Sequence, residues 1–431
     1  MVLSQQRLSL EEAVRTAIDN NPSIETIKNN MEIQELNIKS TKGDLFPTLS
    51  LSGGWSRTHT FSKGGTFIQN GIPITVGDQD TRSDNFRLSL NSGITLFDGF
   101  ANYESVDLQD ETYTGQKLLL EQQKSDVVIS VNQKFFDVLK KEQIVRINED
   151  NLEDSKAQLS RINEFVAVGK SIQADAYRQQ VQVAQNELAV ERAINDVKKA
   201  KVDLVVEMNG DINAEYDVLQ GNINPDVTLD ELRLILDGSQ NVNALTQQAI
   251  NNRYDYKSAL QNIRINETAL SIAEKNLYFP TVTAFGDYNL SGNSISDIHN
   301  TRVASYGLTL SYPIFQGFNL DVSKQIAEVN IKQDRDDLQK LELQIGSEIK
   351  KAVLDLQTAY KQAAILETSI ESARQDKVLS EENYRVGLGT LLDVQTATIN
   401  LNNLLIERSN AIYDFLIAKK FIDYYTGKLS Y

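Results

Sequence analysis

Cysteine is absent from the sequence, which removes disulfides, thiolate nucleophiles and thiolate metal sites together. Histidine occurs twice, at His59 and His299, both in stretches rich in Gly, Ser and Asn. Three methionines are too few for a soft-metal relay. Neither a metal site nor a cofactor is expected. Basic residues are outnumbered, and the net charge of −16 repels phosphate backbones, so no nucleic-acid partner is expected. No run of apolar residues is long enough for a transmembrane helix, which leaves a membrane β-barrel open. The opening Met1 to Arg7 has no signal-peptide core, so the chain is expected either to be cytoplasmic or to have had a signal removed. No Ser/His/Asp set, phosphate loop or metal cluster is present, and an enzyme is not expected.

Proline is also scarce. The six prolines are Pro22, Pro47, Pro73, Pro225, Pro280 and Pro313. A proline inside a helix costs roughly 3 kcal/mol, so the proline-free tracts after Pro73 and Pro313 permit very long helices. Leu338, Leu341, Ile345, Ile349, Val353, Leu356, Tyr360 and Ala363 follow one another at steps of three or four, as do Val127, Val131, Phe135 and Val138. These are stripes for helix-on-helix packing. Each tract breaks once, at Val168-Gly169-Lys170-Ser171 and at Val386-Gly387-Leu388-Gly389-Thr390. Gly suits a helix end and Ser or Thr the next N-cap. Two helical hairpins follow, with first arms from about Asn102 to Val168 and from about Leu320 to Val386, each about 100 Å long at 1.5 Å per residue.

The chain is duplicated. Leu96-Phe97-Asp98-Gly99-Phe100 aligns with Ile314-Phe315-Gln316-Gly317-Phe318. The same displacement carries Val168-Gly169 onto Val386-Gly387 and Asp175 onto Asp393. Upstream, Phe46-Pro47-Thr48 matches Phe279-Pro280-Thr281. A repeat of roughly 220 residues is too long for a solenoid and marks a duplicated half-molecule.

Between short and long helices each half carries two stretches of period-two alternation. Leu49, Leu51 and Trp55 alternate with Ser50 and Ser52; Phe86, Leu88, Leu90, Ile94 and Leu96 with Arg87, Ser89, Asn91 and Thr95. The second half repeats this around Val282 to Leu290 and Tyr306 to Ile314. Such strands suit a half-buried sheet or a membrane barrel. Aromatics at their ends, Trp55, Phe97, Phe100, Tyr312, Phe315 and Phe318, suit a membrane interface and contact with membrane lipid. The connections Phe61–Arg82 and Gly292–Thr301 read as loops without core residues. Four strands cannot close a barrel, and open edges in a bilayer leave backbone groups unpaired. A membrane reading therefore demands an oligomer, eight strands from a dimer or twelve from a trimer.

The duplicated unit, Phe-Pro strand starts, Phe-x-Gly-Phe exits and Val-Gly helix breaks resemble the TolC-like outer-membrane efflux proteins of Gram-negative bacteria, from about Leu8 to Leu429. The resemblance implies an α+β membrane protein and a homotrimer. Long α-helical hairpins form a trimeric tube in the periplasm, below a 12-stranded β-barrel with four strands from each protomer. It assigns residues 44–100 and 278–318 to the barrel strands. Residues 22–43, 101–209, 254–277 and 319–420 fall in the tube, and 1–21, 210–253 and 421–431 in an equatorial belt. The internal repeats are about 8–209 and 241–429. The implied function is the outer-membrane exit duct of a tripartite efflux or type I secretion system. Cargo comes from a periplasmic adaptor and an inner-membrane pump. A soluble coiled-coil scaffold or tether is the alternative.

The resemblance also places a periplasmic gate at Asp393, Asp175, Tyr384, Gly389 and Thr396. Asp393 falls where carboxylates ring the constriction, and a second ring position reads Thr396. Asp175 and Tyr384 match positions that bond neighbouring hairpins, and Gly389 stands where relatives place an arginine. Val168, Gly169, Lys170, Ser171, Val386, Gly387 and Leu388 match the adaptor-docking tips. The residues themselves allow other roles. Thr390-Leu391-Leu392-Asp393 reads as a capping box, Asp175 can serve its own helix dipole, and Tyr384 can simply pack. The two turns are expected to differ, and that difference to mark the gate.

Overall fold

The structure is a computed structural model that describes residues 6–214, 216–221, 223 and 227–429. Pro225, Met1 to Gln5 and the last two residues of the expected belt lie outside the described residues. The first half runs β1 (Gln6–Leu8), α1 (Leu10–Asn20), α2 (Pro22–Gly43), β2 (Thr48–Ser62), β3 (Gly65–Gln69), β4 (Ile72–Val76), β5 (Gln79–Phe97), α3 (Ala101–Ala167) and α4 (Gln173–Glu207). The second runs β6 (Tyr216–Val218), α5 (Leu229–Asp237), α6 (Val242–Asn252), α7 (Tyr254–Tyr278), β7 (Thr281–Gly292), β8 (Thr301–Ser311), α8 (Asn319–Arg385) and α9 (Leu391–Tyr425). The long arms α3 and α8 are both 67 residues, and α4 and α9 both 35. The duplication thus holds residue for residue through both hairpins.

The chain divides into two compact units whose boundaries fall inside α2, α3, α7 and α8. The first comprises Met1–Asn30, Gln116–Leu260 and Asp337–Tyr431. It holds two related cores. One gathers Val127, Val131, Phe135 and Val138 with Ala17, Ile24 and Leu204; the other gathers Ile345, Ile349, Val353 and Leu356 with Ala249, Phe415 and Leu232. The apolar stripes read from the sequence are these cores. Beside the second core Arg253 bridges two carboxylates, donating from Nη2 to Asp255 and from Nη1 to Glu348 at 2.6 Å each. Its side chain is 9% exposed, and the guanidinium also lies 5.9 Å from the Tyr425 ring centre. Both hairpins turn through the same Schellman geometry. The Lys170 and Leu388 amides donate to Phe165 and Asn383 carbonyls at 2.8 Å, with Gly169 and Gly387 at φ 76° and 78°. The two turns thus match in length and backbone hydrogen bonding, and the expected difference between them lies in their side chains, with Ile172 at the N-cap of α4 and Thr390 at that of α9.

The second unit, Met31–Gly115 and Gln261–Asp336, holds an antiparallel sheet of order β2-β5-β7-β8. Its register puts Leu51 opposite Leu90, Leu90 opposite Tyr288, and Ala284 opposite Leu308. Residues facing each other across a ladder share a face, so one face is apolar and the other carries Ser50, Ser89, Asn289 and Thr309. Among the described residues, strands β2 and β8 leave free edges. Strand β8 ends at Ser311 whereas its repeat counterpart β5 continues to Phe97. Pro313 stands where β5 has Thr95, and a residue without an N–H ends a ladder.

Both strand-to-helix exits use a type I′ turn. Gly99 and Phe100 take φ 71° and 67°, and Gly317 and Phe318 take 61° and 68°. A left-handed bulky residue costs of order 1–3 kcal/mol, and here it is held twice. The rings of Phe97 and Phe100, and of Phe315 and Phe318, meet edge-on at 5.7 and 5.3 Å. Phe100 and Phe318 stay exposed. A Cβ at Gly99 would meet the Phe279 ring at 2.8 Å, whereas one at Gly317 would meet nothing within 4 Å. Gly99→Ala is expected to cost about 2–4 kcal/mol and Gly317→Ala about 1 kcal/mol in the unassembled chain, read by thermal unfolding.

The span Phe61–Arg82 is not a loop. Strands β2 and β5 stay paired as far as Ser62 and Gln79, and β3 and β4 form a further hairpin. The Asn70-Gly71 pair, at φ 52° and 81°, supplies its type I′ turn.

Candidate functional site

The hairpin turns bring together Asp175 and Tyr384, two of the expected gate residues, and add Ser171. The Ser171 Oγ donates to Asp175 Oδ2 at 3.0 Å and lies 2.9 Å from the Tyr384 hydroxyl. The Tyr384 hydroxyl also donates to Asp175 Oδ2 at 3.4 Å. One carboxylate oxygen therefore collects hydroxyls from both hairpins. Arg178 steadies it through Oδ1 at 3.2 Å. Burial pushes the Tyr384 hydroxyl above the ordinary tyrosine range, so it remains a donor at neutral pH. Its ring packs 6.5 Å from Phe165, beside a small core of Ile162, Ala176 and Leu391.

Asp393, the repeat counterpart of Asp175, is occupied differently. Its Oδ2 accepts from the Thr390 backbone at 2.9 Å and from the Thr390 hydroxyl at 2.7 Å, while its own amide donates to Thr390 Oγ1 at 3.3 Å. This is a closed capping box on α9. The backbone and hydroxyl donors hold the exposed carboxyl below the usual aspartate range. In α4 the N-cap is Ile172, which offers no side-chain bond. Asp175 has no cap to close and is left for Ser171 and Tyr384. One substitution between the repeats thus makes a cap in one hairpin and a link between hairpins in the other.

Thr396 lies exposed one turn beyond Asp393, with its hydroxyl bonded to the Leu392 carbonyl at 2.8 Å. Gly389 lies beside Tyr384, and a Cβ there would meet Asn383 Cβ at 3.1 Å and the Tyr384 amide nitrogen at 3.4 Å. The tips leave Val168, Ile172, Val386 and Leu388 exposed, with Leu388 at 83%.

Further links between the hairpins escaped sequence reasoning. Gln179, only 3% exposed, accepts from Gln395 at 3.1 Å and donates to the Ser155 carbonyl at 3.0 Å. Lys377 reaches Asp154 at 2.5 Å. Gln179 and Asn186 interrupt the buried stripe Ala176, Val183, Val190 and Ala193. Polar residues at core positions of a helical stripe were the available signal.

Over residues 13–210 and 245–428 the chain matches the family described as outer membrane efflux protein. The chain belongs to that family. It is an outer-membrane efflux channel, and the soluble scaffold reading finds no support. Among relatives it is similar to outer membrane protein TolC of Salmonella enteritidis, 22% identical over all of this chain and 82% of that protein. Its fold resembles the outer membrane protein VceC of Vibrio cholerae, with a TM-score of 0.75 and 16% identity, over 97% of this chain and 96% of the other. It also resembles the CmeC outer membrane channel of Campylobacter jejuni, with a TM-score of 0.75 and 15% identity, over 97% of this chain and 85% of that one. Family membership places the aromatic-rimmed sheet in an outer-membrane protein, the setting in which apolar and polar faces of one sheet are both satisfied.

Proposed function

We propose that three copies of this chain close one twelve-stranded barrel and form the passive exit duct of a tripartite efflux or type I secretion system. A periplasmic adaptor meets the tips around Gly169 and Gly387, and an inner-membrane pump supplies the energy. The carrying observation is the pair of free sheet edges, β2 and β8. Within the chain, the return strand of the first half already pairs with the first strand of the second. Repeating that register through the duplication sets Leu308 opposite Trp55 of the neighbouring copy, and Tyr312 opposite its Leu51. Both pairs fall on the apolar face, so the closed barrel presents one continuous lipid surface. Trp55, Phe97, Phe100, Tyr312, Phe315 and Phe318 then rim it.

In this reading the duct closes at its periplasmic mouth. The Ser171–Asp175–Tyr384 contact latches paired hairpins. Three copies of Asp393 gather like charge, which raises cation affinity. The supporting feature is that Asp393 is exposed and bonds to Thr390 through one oxygen alone. Thr396 gives the next turn a neutral ring, and Gly389 leaves the latch without an arginine.

The test is purification in detergent followed by planar-bilayer recording. An oligomer near three times 48.3 kDa with discrete conductance is expected. A water-soluble, non-conducting monomer would refute the proposal. Asp393→Ala is expected to weaken block by multivalent cations at least several-fold. Because the Thr390 donors hold the carboxyl below its usual range, block by the unaltered protein is expected to hold at neutral pH and to fade only as pH falls below the ordinary aspartate range. Unchanged block in the variant would leave Asp393 as a cap alone.

A further inference from the structure

The β2–β5 hairpin outruns the sheet that carries it. Pairing of β5 with β7 stops at Phe86 and Gly292, the level at which Trp55 faces Phe86. Beyond it, seven residue pairs from Ser56–Asn85 to Ser62–Gln79 continue as a two-stranded ribbon. At roughly 3.4 Å per residue this shaft extends more than 20 Å past the aromatic level. It is polar and zipped by charge. Arg57 forks onto Asp84 at 2.9 and 3.0 Å, Trp55 Nε1 donates to Asp84 at 3.1 Å, and His59 meets Asp80.

The tip has the opposite character. From Gly64 to Gly77 there is no charged residue. Phe67, Ile68 and Ile72 are 51%, 74% and 65% exposed. The hairpin is firmly built. Its Asn-Gly turn is type I′, Thr66 and Thr75 hydroxyls meet at 2.9 Å, and the Gly64 amide donates to Asp78 Oδ1 at 2.6 Å. A rigid, uncharged, apolar tip on a charged shaft needs a cover. Its own bilayer is an unsuitable cover, because the shaft carries the tip beyond the interfacial aromatics. The second half has only the short connection between Gly292 and Thr301, so each chain carries a single ribbon.

We propose that the β3–β4 tips of the three copies pack together over the outer mouth as a lid. This rests on the trimeric barrel reading. Twelve strands spaced about 4.8 Å and tilted about 40° enclose a radius of about 12 Å, which the ribbon exceeds. Each tip offers only the exposed side chains of Phe67, Ile68, Ile72 and Ile74, too little for a free partner, whose stable interface needs about 800 Å² per side. It suffices for copies that the barrel already holds together, where contact is intramolecular and effective concentration is high. The shaft lies on β2, the edge that closes onto the neighbouring β8, so the tip contact continues the barrel seam.

The cysteine-free background allows a direct test. Ile68→Cys places one thiol on each tip, at an exposed site that tolerates it. Treatment of the purified oligomer with a flexible bis-maleimide is expected to yield covalent dimers of the chain. Adding Phe67→Asp and Ile72→Asp, which sets like charges together, is expected to cut that yield at least fivefold. A mass of three chains by light scattering without cross-linking would overturn the lid and leave the trimer standing. A single-chain mass would overturn the trimer reading and the lid with it. Cross-linking unaffected by the two aspartates would overturn apolar packing as its cause.

Discussion

Ile172→Thr is expected to raise the conductance of the closed channel at least tenfold while leaving α4 more stable. The expectation comes from comparing the two repeats. At the second turn Thr390 occupies the N-cap and draws Asp393 into a capping box. At the first, Ile172 holds that place and Asp175 bonds to Ser171 and Tyr384 instead. A threonine at position 172 would offer Asp175 the same box. An N-cap gains about 0.5–2 kcal/mol, and a hydrogen bond to a charged group is worth about 1.5–3 kcal/mol. The carboxylate would therefore be shared between the two, weakening each latch by about 1 kcal/mol. Three latches acting together shift the closed–open balance by about 3 kcal/mol; a factor of ten needs only about 1.4 kcal/mol. Single-channel recording checks the opening, and thermal unfolding checks the helix. Conductance unchanged alongside a raised unfolding temperature would show that the Asp175–Tyr384 contact does not hold the mouth.

Arg253→Ala is expected to cause the largest loss of stability of any single charge removal, about 3–5 kcal/mol. The guanidinium is nearly buried and is the shared partner of Asp255 and Glu348. Those two carboxylates draw its pKa upward against the opposing effect of burial, so it stays charged throughout the working pH range. Removing it leaves two carboxylates, each about three-quarters buried, without a counter-charge. It also strips the cation from the Tyr425 ring. Arg253→Lys keeps the charge but not the fork, and an intermediate loss is expected. Urea unfolding of the detergent-purified protein measures both. A loss below 1 kcal/mol for the alanine variant would mean that water already screens the pair.

Much of this was legible in the sequence because helix geometry leaves long, regular marks. The proline-free tracts and Val-Gly breaks located α3 and α8 to within one residue at each end. The duplication predicted equal arms, since an insertion in either copy would have put the packing stripes out of phase. The outer hairpin was missed. Gly64, Gly65, Asn70, Gly71 and Gly77 gave the segment a loop composition, and the alternation on either side of Asn70-Gly71 spans only five residues per strand. The contact of Ser171, Asp175 and Tyr384 was half legible. Asp175 and Tyr384 were named by resemblance, but Ser171 was assigned to docking alone. The decisive contrast between Ile172 and Thr390 is a single residue whose meaning appears only when the two repeats are superposed. The pairings of Gln179 with Gln395 and of Arg253 with Glu348 were not legible, because those partners lie on helices far apart in sequence.

In the proposed barrel β8 of one copy pairs with β2 of the next. Within one chain β5 and β7 lie between those strands, and Leu308 is level with Ile94 of β5 whereas Trp55 is level with Phe86, so Trp55 and Leu308 stand well over about 14 Å apart at about 4.8 Å per strand and about 3.4 Å per residue. A disulfide needs Cα atoms within about 7 Å. A Trp55→Cys, Leu308→Cys chain can therefore close that bond only with a neighbour. Oxidation in outer membranes, followed by denaturing electrophoresis without reductant, should convert the chain to a covalent trimer. Monomers alone, from protein shown to be in the membrane, would contradict the barrel and its register.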